Sequence, residues 1–246
     1  MEVKAEHINP YDNDSRAKSE QVKDMFDSIS GAYDFMNRAM TMGVDRLWRR
    51  KAVQTIRHQD PRLVVDLATG TGDLAIALAR SMPQTTVTGY DLSEGMLEVG
   101  RDKVARAGLA SRVAMYQADC LELPCADNSA DAVTVAYGVR NFEHLLEGYR
   151  EMYRILRPGG TLCVLELSTP RGKITAPLYH IYTRYIIPTL GRMISRDRRA
   201  YSYLPESIAA VPQGADMCAL MAEAGFLDCR FRPMTFGACT MYTAKK

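Results

Sequence analysis

The chain has 246 residues, of which 47% are hydrophobic and 24% charged, and its net charge is +2. Those values fit one globular domain with a sizeable core and exclude a disordered chain or one dominated by a nucleic-acid-binding charge excess. Six cysteines without a Cys-x-x-Cys pair, four scattered histidines, a polar start without a signal-peptide core and the lack of a long apolar run argue for a reduced, cytoplasmic, metal-free protein that does not span a membrane.

Residues 1–18 are polar and expected to be flexible. Val22, Met25, Phe26 and Ile29 recur at helical spacing in a short helix that Ser30-Gly31 should break. A second helix is expected over Val44 to His58, with Leu47, Trp48, Val53 and Ile56 inward and Arg46, Arg49, Arg50 and Lys51 mostly outward. The segment 19–59 then reads as a helical cap. Strands are expected at 63–67, 85–91, 112–118, 132–137 and 161–167, with helices at 73–81, 94–107 and 143–156 between them. That alternation predicts an α/β fold with a mostly parallel sheet covered on both faces. Arg157-Pro158-Gly159-Gly160 should end the last of these helices. Residues 171–210, rich in Tyr, Ile and Arg, break the alternation and read as a helical insertion. A helix over 213–224 and strands near 227–234 and 236–244 close the chain, the last two as an antiparallel hairpin.

The stretch Val64 to Asp73 carries the clearest chemical signal. An apolar strand ends in Asp66, a loop places Gly70 and Gly72 at alternate positions, and a helix follows, so a nucleotide-like ligand can approach bare backbone. Asp91, at the end of the second strand, can accept hydrogen bonds from both hydroxyls of a ribose. Gly70-x-Gly72-x-x-Ala75 is a loose fingerprint that leaves two cofactors open, a nicotinamide dinucleotide or S-adenosylmethionine. Taken singly, Asp66 also reads as a loop acid, Asp73 as a helix cap, Asp119 as a solvated strand-end residue and Cys120 as a core residue.

Three features favour the second cofactor by resemblance. Asp66 with Gly70-Thr71-Gly72 resembles the first motif of class I methyltransferases, a Rossmann-like seven-stranded fold. Gln117-Ala118-Asp119-Cys120 ends the third strand where those enzymes meet adenine, and Leu156-Arg157-Pro158-Gly159-Gly160 resembles their element before strand five. The match narrows further. Phe26 to Asn37, Gly43 to Arg49, Ala136-Tyr137-Gly138-Val139-Arg140-Asn141, Leu165 to Pro170 and Tyr201 to Ile208 resemble the ubiquinone/menaquinone biosynthesis C-methyltransferases, from about residue 22 to the end.

That resemblance implies S-adenosylmethionine-dependent methylation of a ring carbon of a polyprenylated quinol. Demethylmenaquinol is the prime acceptor, with a methoxy-polyprenyl benzoquinol of ubiquinone biosynthesis as the alternative. It places Thr71, Asp91, Asp119 and Cys120 on the cofactor. Many relatives carry Asn-Ala where this chain has Asp119-Cys120, and some carry Ser at Ala136. Arg140 is the candidate to stabilise phenolate charge, with Asn141 orienting the ring; Tyr33, Asp34 and Asp45 are further candidates. The plainer readings are that Arg140 pairs with Glu143 and that Tyr33-Asp34 forms a turn. His58 and His144 read as surface residues, while His180 could touch the acceptor. The cations and apolar residues of 171–200 suggest peripheral contact with a membrane surface or, more plainly, packing on the sheet. Homo-oligomerisation stays open. The rival functions are an NAD-dependent oxidoreductase, which lacks a recognisable Tyr-x-x-x-Lys pair here, a non-catalytic cofactor-binding subunit and a methyltransferase for a sterol-like acceptor.

Overall fold

The computed structural model describes residues 3–11, 14–183 and 199–246. Five strands run parallel: β1 (Leu63–Leu67), β2 (Thr86–Asp91), β3 (Val113–Gln117), β4 (Ala130–Ala136) and β5 (Leu156–Leu167). The C-terminal β6 (Leu227–Met234) and β7 (Cys239–Lys245) complete a seven-stranded sheet in the order β3-β2-β1-β4-β5-β7-β6. β7 lies antiparallel between β5 and β6, so the closing hairpin joins the sheet as expected. The β1/β4 adjacency is a topological switch point, where the crossovers leave in opposite directions and open a crevice at the strands' C-terminal ends.

Helices α2 (Asp45–Arg57), α3 (Asp73–Ser81) and α4 (Glu94–Arg106) cover one face, where Trp48, Ile56, Leu78, Leu97 and Met241 share a core. The other face is packed by α5 (Leu145–Ile155) and α8 (Ala215–Glu223), around Tyr149, Met152, Leu220, Phe226 and Tyr242. Of the insertion, α6 (Thr175–Ile181) and α7 (Arg199–Ala210) are described; the expectation for 184–198 lies outside the described residues.

The structure departs from the sequence reading in four places. α1 spans Lys18–Thr41 without a break at Ser30-Gly31. Its middle is tied down from outside: Asp27 accepts from Ser93 Oγ at 2.6 Å and from Gly95 N at 2.9 Å, while Ser30 Oγ turns back to the Asp27 carbonyl. Tertiary contacts thus outweigh the helix-weakening residues. Residues 3–11 are not loose either. Val3 and Ala5 are buried beside a short 3-10 turn at Lys4–His7, and buried Lys18 donates from Nζ to the Ala5 carbonyl at 2.6 Å. On α2, Leu47 is exposed and Arg49 is turned inward, the reverse of what was expected. Finally, α5 ends at Ile155 and Arg157 to Gly160 already belong to β5, which begins in the extended conformation that Pro158 imposes on its predecessor.

Candidate functional site

Beyond β1 the chain must turn sharply, and Gly70 (φ 54°) and Gly72 (φ 77°) supply left-handed residues. Gly70 N donates to Asp91 Oδ2 at 2.8 Å, and Ser93 N donates to Asp91 Oδ1 at 2.9 Å, so the glycine loop is clamped to the end of β2. Burial pushes the Asp91 carboxyl up to about 6, against the pull of those two amides. Asp66 lies deeper. Thr69 Oγ1 reaches it at 2.7 Å and Thr134 Oγ1 at 2.5 Å, and burial raises its carboxyl to about 6 despite both hydroxyls.

Three cavities converge above the strand ends. The first, about 240 Å³, is almost wholly apolar; Met25, Ile29, Met36, Trp48, Tyr179 and Leu204 are among its walls. A second, of about 70 Å³, is lined by Gly70, Asp91, Asp119, Cys120, Asn141 and the first turns of α1. A third, of about 40 Å³, is polar, with Asp34, Arg49, Asp66, Thr71 and Asp73 on its walls. Tyr33 and Tyr137 line all three, and Phe26 lies between the first two. The apolar chamber and the two smaller cavities are therefore neighbours across a wall of aromatic rings.

Most of the expected residues gather here. Asp91, Asp119, Cys120 and Gly70 face one cleft, and Asp66 and Thr71 face the adjoining polar cavity. Gly72 lines none of these three cavities; it takes the N-cap position of α3, which displaces Asp73 from that expected role. Asp73 instead accepts from Lys103 Nζ at 2.6 Å and pairs with Arg49 at 3.0 Å. Thr71 Oγ1 is 2.5 Å from Asp34 Oδ1, and Lys103 reaches both. Asp34 is thus a side chain of the polar cavity's charge network, and its place within continuous α1 removes the turn reading.

Arg140 and Asn141 part company. Arg140 lines the apolar chamber, whereas Asn141 lines the cleft beside Asp119, its Oδ1 accepting from Tyr203 Oη at 3.1 Å. Arg140 is buried and pairs with Glu166 at 2.9 Å, not with Glu143, which accepts from Ser19 N instead. Its Nη1 also donates to the Tyr137 carbonyl, yet its buried Nε has no protein partner, and neither does the buried Tyr137 hydroxyl. Burial opposes the charge on Arg140, but the Glu166 carboxylate more than offsets this and holds its pKa above the ordinary value. Two buried donors on the wall of an apolar chamber call for acceptors from a ligand.

Sequence reasoning missed Tyr137, Glu166 and Arg49. Tyr137 stood in a quoted motif without a role; its φ of 61°, which strains a non-glycine residue, places it at the junction. Arg49 follows Asp45 by four residues and precedes buried Ala52 and Ile56 by three and seven, so helical phase alone could have turned it inward. His58 and His144 are exposed, as expected; exposed His180 is not on the chamber wall.

The loop after β4 depends on close packing. A Cβ placed on Gly138 would come within 2.4 Å of Ala68 Cβ and 3.1 Å of Val135 Cγ1. Gly138→Ala should therefore destabilise the fold by about 1–3 kcal/mol by overpacking the joint between β1 and β4, measured by urea unfolding. An unchanged midpoint would show that this joint is soft.

The ubiE/COQ5 methyltransferase family profile matches residues 14–246. A demethylmenaquinone methyltransferase of Bacteroides fragilis is 47% identical over all of both chains. A ubiquinone/menaquinone biosynthesis C-methyltransferase of Geobacter sulfurreducens is 44% identical over 93% of this chain and 90% of its own. Among solved structures, the S-adenosylmethionine-dependent methyltransferase SibL in its apo form superposes with a TM-score of 0.59 at 23% identity, over 84% of this chain; this chain spans only 56% of that one. That likeness is one of fold. The family match and the full-length identities establish that the chain belongs to the ubiE/COQ5 methyltransferase family.

Proposed function

We propose that the protein transfers a methyl group from S-adenosylmethionine to a ring carbon of a polyprenylated quinol, demethylmenaquinol first among them. The observation that carries this is the juxtaposition of a cleft carrying Asp91 and Asp119 and a large apolar chamber across Tyr33, Tyr137 and Phe26, with Arg140 the sole cation among the described residues that line the chamber. The full-length identity with a relative named demethylmenaquinone methyltransferase supports the naphthoquinol acceptor over a benzoquinol.

The cleft suits the cofactor chemically. Asp91 offers a carboxylate to a ribose diol, and Asp119, whose Oδ1 accepts from Leu121 N at 2.8 Å, keeps a second oxygen for an adenine amine. Cys120 is buried against the same cleft, and burial pushes its thiol far up, so it contributes apolar contact as a neutral thiol. Thr71, Asp66 and Arg49 line the polar cavity, which would suit the amino-acid end, with Arg49 as the cation for its carboxylate. When bound, S-adenosylmethionine supplies a methyl already activated by its sulfonium.

The chain's own task is then to hold a carbon nucleophile in position and make it reactive. A quinol ring carbon gains nucleophilicity as the neighbouring hydroxyl passes its proton to solvent; once methylated, that carbon sheds its own hydrogen as a proton and the oxygen is reprotonated, so one proton is released per methyl transferred. Arg140 Nε, buried and lacking a partner, stabilises the resulting phenolate oxygen. Arg140 itself keeps its proton and does not serve as the base. Asn141 acts from the cleft side, through Tyr203, to fix the wall between the chambers. Tyr33 and Asp45 also line the chamber, and the apolar walls exclude water and receive the prenylated ring. Because the acceptor's tail is a lipid, the protein works in peripheral contact with a membrane surface. No described helix is long and apolar enough to cross one.

The deciding measurement is a mass-spectrometric methyl-transfer assay with reduced demethylmenaquinone and a methoxy-polyprenyl benzoquinol side by side. Faster methylation of the naphthoquinol is expected. Transfer to neither quinol would sink the reading, and a preference for the benzoquinol would reassign the acceptor.

A further inference from the structure

Large apolar side chains gather on the outside of the molecule around the apolar chamber. Met42 is 82% exposed, Phe236 81%, Ile174 77%, Leu178 61% and Ile181 52%. Scattered singly such residues need no explanation; clustered, they mark a surface that something covers.

The chamber's own walls bring these residues together. Met42 and Thr235, the neighbour of Phe236, both line it, so Met42 and the Phe236 turn stand at its rim. α6 contributes Tyr179 to the wall and Tyr182, its C-cap, follows; Tyr182 donates to the Met40 carbonyl, which docks this helix on the end of α1. The same helical segment carries Ile174, Leu178 and Ile181 at i, i+4 and i+7, a separate outward stripe that stays exposed against the described residues.

The Phe236 turn is built to hold its ring outward. Thr235 (φ 46°) and Phe236 (φ 58°) are consecutive non-glycine residues in the left-handed region, a conformation that costs free energy and persists only when its surroundings enforce it. Trp48 Nε1 donates to Thr235 Oγ1 at 2.8 Å, and Ser168 Oγ donates to the Gly237 carbonyl at 2.9 Å. Ser168 also leads directly into Pro170, Arg171 and the start of α6, so the turn and the helical stripe share one root.

The charge next to α6 and the Phe236 turn along the chain is positive. Arg171 and Lys173 are exposed before α6; the sequence has no Asp or Glu between Glu166 and Asp197, and none after Asp228. A second copy of this chain would bring the same cations face to face, whereas anionic lipid headgroups complement them.

We propose that this surface docks on an anionic lipid bilayer, with Phe236 as its insertion tip and the stripe Ile174-Leu178-Ile181 as its second anchor, so that the chamber opens toward the lipid. The proposal rests on the polyprenyl-quinol reading above and names the anchor which that reading requires.

The test uses the full chain and vesicle co-sedimentation. The wild type should bind phosphatidylglycerol-containing vesicles at low salt, more weakly at high salt, and pure phosphatidylcholine vesicles least. Phe236→Ser combined with Leu178→Ser should lower partitioning onto the anionic vesicles about tenfold, and each single substitution should lower it less. Turnover of a long-chain quinol embedded in those vesicles should fall in parallel. Turnover of a short-chain, water-soluble quinol homologue should stay at the wild-type level, since neither residue lines the chamber. No vesicle binding by the wild type, binding that survives the double substitution, or an equal loss of soluble-acceptor turnover would each overturn the proposal. So would a wild-type dimer that Phe236→Ser dissolves, because the surface would then belong to a second copy. A wild type that binds vesicles yet methylates neither acceptor would refute the quinol reading and leave the docking surface standing.

Discussion

Arg140→Ala should lower turnover by about 10²–10³ while cofactor affinity changes by no more than about threefold. Its guanidinium lines the acceptor chamber and not the cofactor cleft, so the two measurements separate its roles. Stability confounds the single substitution. Glu166 is buried with Arg140, and deleting the cation strands a carboxylate at a cost of about 3–5 kcal/mol. Glutamine at 166 removes the stranded charge; its amide oxygen can keep the contact from Leu167 N, now to Oε1 at 2.8 Å, and gives up only the longer one from Arg140 N, now to Oε2 at 3.2 Å. Arg140→Met with Glu166→Gln should therefore regain most of the lost stability in urea unfolding and none of the turnover. A double variant that recovers activity along with stability would show Arg140 to be a strut for the loop after β4.

Asp91→Asn should weaken S-adenosylmethionine binding about a hundredfold, read by titration calorimetry, because two hydroxyl donors lose a charged acceptor. The same experiment carries a pH signature. With the free protein's Asp91 carboxyl near 6, wild-type affinity should be flat above that pH and fall by up to about tenfold per unit below it, as protonation removes the acceptor. In Asp91→Asn that slope should vanish apart from any part owed to Asp66, also near 6. A wild-type affinity unchanged from pH 7 to pH 5 would place the diol elsewhere. Folding stability should move oppositely. Both carboxyls bind their protons more tightly folded than unfolded, so the stability they add at low pH is lost as pH rises from about 4 through 6.

The sheet was legible because its strands are apolar runs separated by helical periods. β1 and β6 were expected at the very residues where they form, and β2 and β3 within a residue at each end. The cofactor cleft was legible for a related reason. Asp91 and Asp119 follow strand ends, and a parallel sheet brings all its C-terminal strand ends to one side. What stayed hidden depends on contacts distant in sequence. Nothing near Ser30-Gly31 signals that Asp27 will be gripped by Ser93 and Gly95 from α4. The buried ends of the N-terminal arm could not be read from its polar composition, since Lys18 is held by carbonyls at Ala5, Arg140 and Phe142. Arg140 found Glu166, not nearby Glu143, because β5 lies beside β4 in the sheet.

The unbroken α1 has a thermodynamic consequence. Its first turns, from Ser19 to Phe26, wall the cofactor cleft, and Met25 to Met40 wall the acceptor chamber. One rod therefore belongs to both binding equilibria. Any free energy with which the first ligand steadies that rod is free energy the second no longer has to supply. By linkage the factor is the same in both directions. Cofactor and acceptor would then be partners in a single cooperative unit, and the chain would hold its reactive pair most firmly when both are present.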